Sequence, residues 1–208
     1  MKTQSVTIID YGMGNLWSII SALQYLGCNP GISNDPNEIQ NADALLLPGV
    51  GSFRKAMFAL KENNLDHAIF DAVKTKGSKI LGICLGMQLL GTDSTEDGFT
   101  SGLGLIPNGV DKFSTQNIGT YKIPHVGFNL VHSHPEAHLF KGLPQAADFY
   151  FVHSYRMSPD GLSGLSATCN YGDIFLASYE QDNIFATQFH PEKSQTNGLL
   201  LLQNFLTH

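Results

Sequence analysis

Cys84 stands between two glycines in KILGICLGMQLLG, residues 79–91. An apolar run leads into it, and a short stretch with helical spacing leads away. The backbone must turn sharply there, from a strand ending at Ile83 into a helix opening near Leu85. Gly82 and Gly86 remove side chains that would block neighbouring backbone at such a turn. The pattern has the form Gly-x-nucleophile-x-Gly, with sulfur in the reactive position. A helix N-terminus beside a thiol offers free N–H groups and a positive dipole end, which favour the thiolate and stabilise an oxyanion. The plainer alternative is a small buried hydrophobe, and that is the reading for Cys28 and Cys169.

A sulfur nucleophile requires a proton carrier. Among the 8 histidines, His190 has the most informative setting, in ATQFHPEKSQ, residues 186–195. The β-type run IFATQF delivers it to a strand end, Pro191 stiffens the turn, and Glu192 lies two residues on. A carboxylate in that place holds the imidazole in one tautomer and stabilises its charged form. Cys84, His190 and Glu192 thus supply nucleophile, base and orienter. A further Gly-rich turn, LPGVGSF at 47–53, follows another strand. Its backbone N–H groups near Val50 and Gly51 form a nest for negative charge, or else an ordinary connection.

The elements that position these residues follow from periodicity. Residues 5–10, 42–49 and 79–84 read as strands, the second stopped by Pro48. Residues 14–27 carry apolar side chains at 16, 19, 20, 23 and 26, a helical spacing closed by Gly27. Segments 52–64 and 65–77 read as helical turns, and 85–91 as a short helix. After residue 100 come short strands at 102–113, 123–131, 148–157, 164–171, 173–180 and 183–190, then a closing helix over 194–208. Strand–helix alternation predicts an α/β fold whose central sheet is mostly parallel, with an antiparallel extension. One domain over residues 1–208 is expected, with the site at the carboxyl ends of the parallel strands.

Composition removes other classes. The formal net charge is −6 and no basic run occurs, which argues against nucleic acid as the ligand. Charged residues make up only 14 %, compatible with broad contact to a partner. No apolar stretch is long enough to span a membrane, and the N-terminus lacks a signal-peptide pattern. Three cysteines are too few for a disulfide framework and fit a reducing cytoplasm. HSHPEAH at 132–138 crowds three histidines, but Pro135 makes it a surface loop rather than a metal site. DYGMGN lacks the third glycine of a dinucleotide fingerprint. Trp17 is a helix-face residue. No metal or cofactor is implied.

Together these segments resemble class I glutamine amidotransferases, whose Gly-x-Cys-x-Gly-x-Gln pattern is present as Gly82, Cys84, Gly86 and Gln88. The His-Pro-Glu segment is present as His190, Pro191 and Glu192. IIDYGMGNLWSI, LPGVGSF, GLGLIP, IPHVGFN, FYFVHSY and QFHPEKSQTNGLLLLQNF are similar to the branch of that family formed by glutaminase subunits of imidazole glycerol phosphate synthase.

The resemblance implies a flavodoxin-like fold and hydrolysis of glutamine to glutamate and ammonia. It also implies a (β/α)8-barrel cyclase partner that receives the ammonia. It assigns Val50, Gly51 and the N–H of Leu85 to an oxyanion site. Gln88, Glu96 and the backbone of Ser154 and Tyr155 would hold glutamine. Asn15, Tyr150 and Lys193 would lie near the partner interface and the ammonia path. Phe128 stands where the branch usually has Trp. That residue, GSFRKAM and STEDGFTSGLGLI also resemble a paralogous branch that supplies ammonia for amidino groups on surface-polysaccharide sugars. A stand-alone cysteine hydrolase of γ-glutamyl bonds is the alternative from another class.

Overall fold

The computed structural model describes residues 5–208. Its first half alternates strand and helix: β1 (Val6–Ile9), α1 (Leu16–Tyr25), β2 (Gly31–Ser33), α2 (Pro36–Gln40), β3 (Ala44–Gly49), α3 (Phe53–Glu62), α4 (Leu65–Phe70), β4 (Lys79–Cys84) and α5 (Leu85–Leu90). The second half is mostly strand: β5 (Asp93–Ser94), β6 (Thr100–Ser101), β7 (Val110–Lys112), α6 (Thr115–Ile118), β8 (His125–His132), β9 (Ala146–His153), β10 (Tyr155–Met157), β11 (Leu165–Asn170), β12 (Ile174–Gln181) and β13 (Ile184–Thr187). Helix α7 (Gln195–Thr207) follows a single 3-10 turn at Pro191–Lys193.

Nine strands form one sheet in the order β2-β1-β3-β4-β13-β12-β11-β8-β9. Pairing is parallel from β2 through β13 and antiparallel from there to β9. The central strands β3 and β4 are buried at every residue, as expected where helices cover both faces. Successive side chains point to opposite faces. Ile8, Leu46 and Leu81 join the core with α1 and α7. Ile9, Leu45 and Ile80 join the core with α3 and α4. Helix α3 shows why these elements form: Ser52 caps it by accepting from the Lys55 N–H, and Phe53, Ala56, Met57 and Leu60 make one buried stripe. A small second sheet has the order β10-β7-β5-β6.

Several features differ from the sequence reading. Of the strand read over residues 102–113 only Val110–Lys112 forms one, because the Gly and Pro residues before it make a turn-rich connection. Pro48 does not stop β3, which runs on to Gly49 and pairs Pro48 with Ile83. The pairing with β1 ends at Leu46, so the donor that Pro48 lacks faces no strand on that side. Residues 148–157 form two strands in different sheets, because the chain crosses over at Ser154. Elements β2 and α2 were not anticipated, nor were β5, β6 and α6 at two to four residues each. At three and five residues, β2 and α2 are likewise too short for a periodic signal. No helix among the described residues is long and apolar enough to cross a membrane.

Candidate active site

Strands β3, β4 and β13 run side by side in parallel, so their carboxyl ends open on one edge. Cys84 is the last residue of β4 and lies opposite Gly49 of β3. Ile83 lies opposite Thr187, three residues before His190. Sheet register alone therefore brings together Cys84, the Gly-rich turn and the strand end that leads to His190.

Cys84 has φ 55° and ψ −108°, a strained conformation for a non-glycine residue. It is held there by close packing. A Cβ on Gly86 would stand 1.7 Å from the Leu47 carbonyl oxygen, and one on Gly82 would stand 2.9 Å from the Gly86 carbonyl carbon. Glycine at 86 lets the elbow sit this close to β3, and glycine at 82 lets α5 fold back against β4. The Cys84 side chain is nearly buried, with its Sγ 3.9 Å from the Val152 carbonyl oxygen.

His190 is buried and fixed through its backbone. Its N–H donates to the Tyr150 carbonyl at 2.9 Å, and its carbonyl accepts from Ser194 Oγ at 2.6 Å. Its Nδ1 meets Glu192 Oε1 at 2.8 Å. Its Nε2 makes no hydrogen bond of acceptable geometry among the described residues. Burial opposes charge on this ring, but the neighbouring Cys84 and Glu192 outweigh it and push its pKa up to about 10. Glu192 Oε2 has no partner either, so the hydrogen bonding of this carboxylate goes to His190.

A cavity of about 300 Å³ opens beside Cys84. Its lining includes Val50, Gly51, Leu85, Gln88, Glu96, Ser154 and Tyr155, all seven residues that the sequence reading assigned to oxyanion or substrate contacts. Gly51 has φ +109°, a value that requires glycine. Glu96 also accepts from the Phe53 N–H at 2.7 Å, which ties the wall of the cavity to the start of α3. Tyr150 and Lys193 are brought together, the ammonium 6.0 Å from the ring centroid, and Phe128 packs edge-on against Tyr150 at 5.5 Å. Asn15 stands at the N-cap of α1 and its side-chain NH2 donates to Ser18 Oγ at 3.2 Å; a Cβ on the preceding Gly14 would stand 3.8 Å from Gly49 Cα, so this turn adjoins the end of β3.

Cys28 and Cys169 are buried, and burial raises both thiol pKa values, that of Cys169 to about 12. Trp17 is exposed on α1. Residues 134–136 of the histidine-rich segment are exposed, and the described residues contain no cluster able to hold a metal.

Several residues in or beside the site escaped the sequence reading. Tyr11 Oη donates to the Pro48 carbonyl at 2.8 Å and fills the space where a Cβ on Gly49 would stand, so it braces the Gly-rich turn. His125 and His153 bond each other at 3.0 Å, and His153 Nδ1 donates to the Tyr155 carbonyl at 2.8 Å. Burial lowers their pKa values to about 4 and about 3, so both rings are neutral. Gln188, fully buried at the end of β13, joins Gln88 to Cys84. Its one available signal was a polar residue inside the apolar run IFATQF.

This fold and site define a class. The chain belongs to the class-I glutamine amidotransferase family, whose model matches residues 7–208. Within that family it is 45 % identical over 204 residues to imidazole glycerol phosphate synthase subunit HisH 1 of Parasynechococcus marenigrum, covering 97 % of each chain. It is 42 % identical over 202 residues to subunit HisH of Acinetobacter baylyi, again covering 97 % of each. Among solved structures it matches a glutamine amidotransferase with a TM-score of 0.74 at 18 % identity, covering 98 % of each chain. It matches PurLQS from Thermotoga maritima with a TM-score of 0.73 at 17 % identity, covering 99 % of this chain and 98 % of that one. The structural matches speak to the fold.

Proposed function

We propose that this chain is the glutaminase subunit of an imidazole glycerol phosphate synthase, folded as one glutaminase domain and working in the cytoplasm. The observation that carries the chemistry is the buried His190–Glu192 pair, joined at 2.8 Å and electrostatically coupled to a strained cysteine in a substrate-sized cavity. Cys84 Sγ attacks the side-chain amide carbon of glutamine. The oxyanion forms against the N–H groups of Val50, Gly51 and Leu85. His190 gives its proton to the leaving nitrogen, ammonia departs, and a thioester remains. His190 then takes a proton from water, which attacks the thioester and releases glutamate with the Cys84 thiolate and the His190 imidazolium restored. Gln88, Glu96 and the backbone of Ser154 and Tyr155 hold the substrate.

Ammonia passes to a (β/α)8-barrel cyclase, which forms a heterodimer with this chain and makes imidazole glycerol phosphate and aminoimidazole carboxamide ribotide. The high identity to HisH subunits over nearly their full length supports that acceptor. Tyr150, Lys193 and Asn15 border the partner face. Phe128, in place of the usual Trp, favours the second reading, ammonia supply to an amidino-sugar pathway.

The test is glutamate release by the chain copurified with its barrel partner, followed by identification of the aminated product. Loss of glutamate release in Cys84→Ala is expected. Undiminished release in that variant overturns the mechanism, and an aminated sugar as product transfers the chain to the second pathway.

A further inference from the structure

Gln188 lies two residues before His190 and is fully buried. Its backbone is fixed, with the N–H donating to the Ala177 carbonyl at 2.8 Å. Its side chain contacts two groups. Gln88 Nε2 is 3.0 Å from Gln188 Oε1, and Gln188 Nε2 is 3.8 Å from Cys84 Sγ. The second distance is within reach of an N–H donor to sulfur, whose radius exceeds that of oxygen.

The direction of both amides follows from one anchor. The Tyr155 carbonyl can only accept, and it lies 3.0 Å from Gln88. Gln88 must therefore turn its NH2 group that way. The second hydrogen of the same NH2 group points at Gln188, so Gln188 presents its oxygen there. The remaining end of Gln188, its NH2, faces the sulfur. The anchor is itself held by His153 Nδ1, which donates to the same carbonyl at 2.8 Å. Gln88 keeps its Oε1 as the free group on a residue that lines the cavity.

We propose that Gln188 is a positioning residue for the nucleophile: its N–H holds the Cys84 sulfur and stabilises the thiolate, and its Oε1 ties that sulfur to the substrate-contacting Gln88. A donor on a charged sulfur is worth more than one on a neutral thiol, so the bond strengthens as the thiolate forms. Glutamine at Gln88 thereby steadies the group that attacks it. The inference rests on Cys84 being the nucleophile.

Gln188→Met keeps the approximate volume and removes the donor, while Gln188→Glu keeps the acceptor toward Gln88. Alkylation of Cys84 by iodoacetamide is followed against pH in both, beside kcat and KM for glutamine with the barrel partner present. About tenfold slower alkylation at pH 7 is expected in Gln188→Met, the size of one lost charge-assisted hydrogen bond. The alkylation profile moves to higher pH, and kcat falls more than KM changes. A folded Gln188→Met whose profile overlays the native one overturns the proposal. Should that variant not fold, the native protein gives the answer: the Gln188 side-chain amide resonances shift with thiolate formation, and their failure to move overturns it. Cys84→Ala is the separate control, since unchanged glutamate release there strikes the nucleophile assignment rather than Gln188.

Discussion

His190 is a buried ring that holds its proton because two neighbours favour the charge. Burial alone would lower its pKa, yet Cys84 and Glu192 together raise it to about 10. The imidazolium proposed to protonate the leaving nitrogen therefore persists well above neutral pH, and the alkaline limb of activity is expected to report its loss. Glu192→Gln removes one of the groups that raise this pKa, so that limb is expected to move to lower pH. Turnover should also fall by about 10²–10⁴-fold, since the tautomer is no longer fixed. Steady-state glutamate release from pH 6 to 10 checks both effects. An unmoved limb would mean that Glu192 does not act on the ring.

The β4–α5 elbow depends on how close two elements can come. Gly86 sits where an added Cβ would overlap the Leu47 carbonyl of β3 at 1.7 Å, and backbone cannot swing aside as a side chain can. Gly86→Ala is expected to destabilise the protein by about 1–3 kcal/mol through overpacking, and to reduce activity further by moving Cys84. Urea midpoints at unchanged m-value measure the first effect, and glutamate release per folded molecule measures the second. Native stability in that variant would show that the elbow has room the packing does not indicate. At the Gly-rich turn the space beside Gly49 is taken by a side chain instead, the Tyr11 hydroxyl, which is fixed by its bond to the Pro48 carbonyl.

At the scale of the whole molecule, the antiparallel half of the sheet carries two separate burdens. One is the neutral His125–His153 pair, held by β8 and β9. The folded pKa values, about 4 and about 3, lie below the ordinary value of 6.5 in an unfolded chain. The unfolded state then binds more protons below pH 6.5, so stability falls as pH drops through that window. Each ring contributes about 1.4 kcal/mol per pH unit until its folded pKa is reached. Urea midpoints at pH 6.5 and 5.0 are expected to show this loss, and His125→Phe should flatten the slope. The other burden is the outer face of β8, where Val126, Phe128 and Leu130 are exposed on one side of the strand. Phe128→Asp places a charge in that stripe, beside Tyr150 on the proposed partner face. Loss of co-elution with the barrel subunit on size exclusion is expected, with the melting temperature unchanged. Unaltered co-elution would move the partner to another face.

Sequence by itself determined the family and named the groups proposed to react. Cys84 between glycines, His190 at a strand end and Glu192 two residues on are local patterns, because the elbow and the turn are each built within a few residues. The alternating strands and helices of the first half were legible for the same reason. What lacked a local signal was left to tertiary structure. The chain crosses between sheets at Ser154 because β10 finds β7, far back in the sequence, rather than any neighbour. Tyr11 reaches Pro48, His125 reaches His153 and Gln188 reaches Cys84 across 37, 28 and 104 residues. Those contacts exist only once parallel register has set the ends of β3, β4 and β13 side by side. Spacing along the chain can place a nucleophile and its base at the ends of strands. Only packing decides which buried amide turns its hydrogens toward the sulfur.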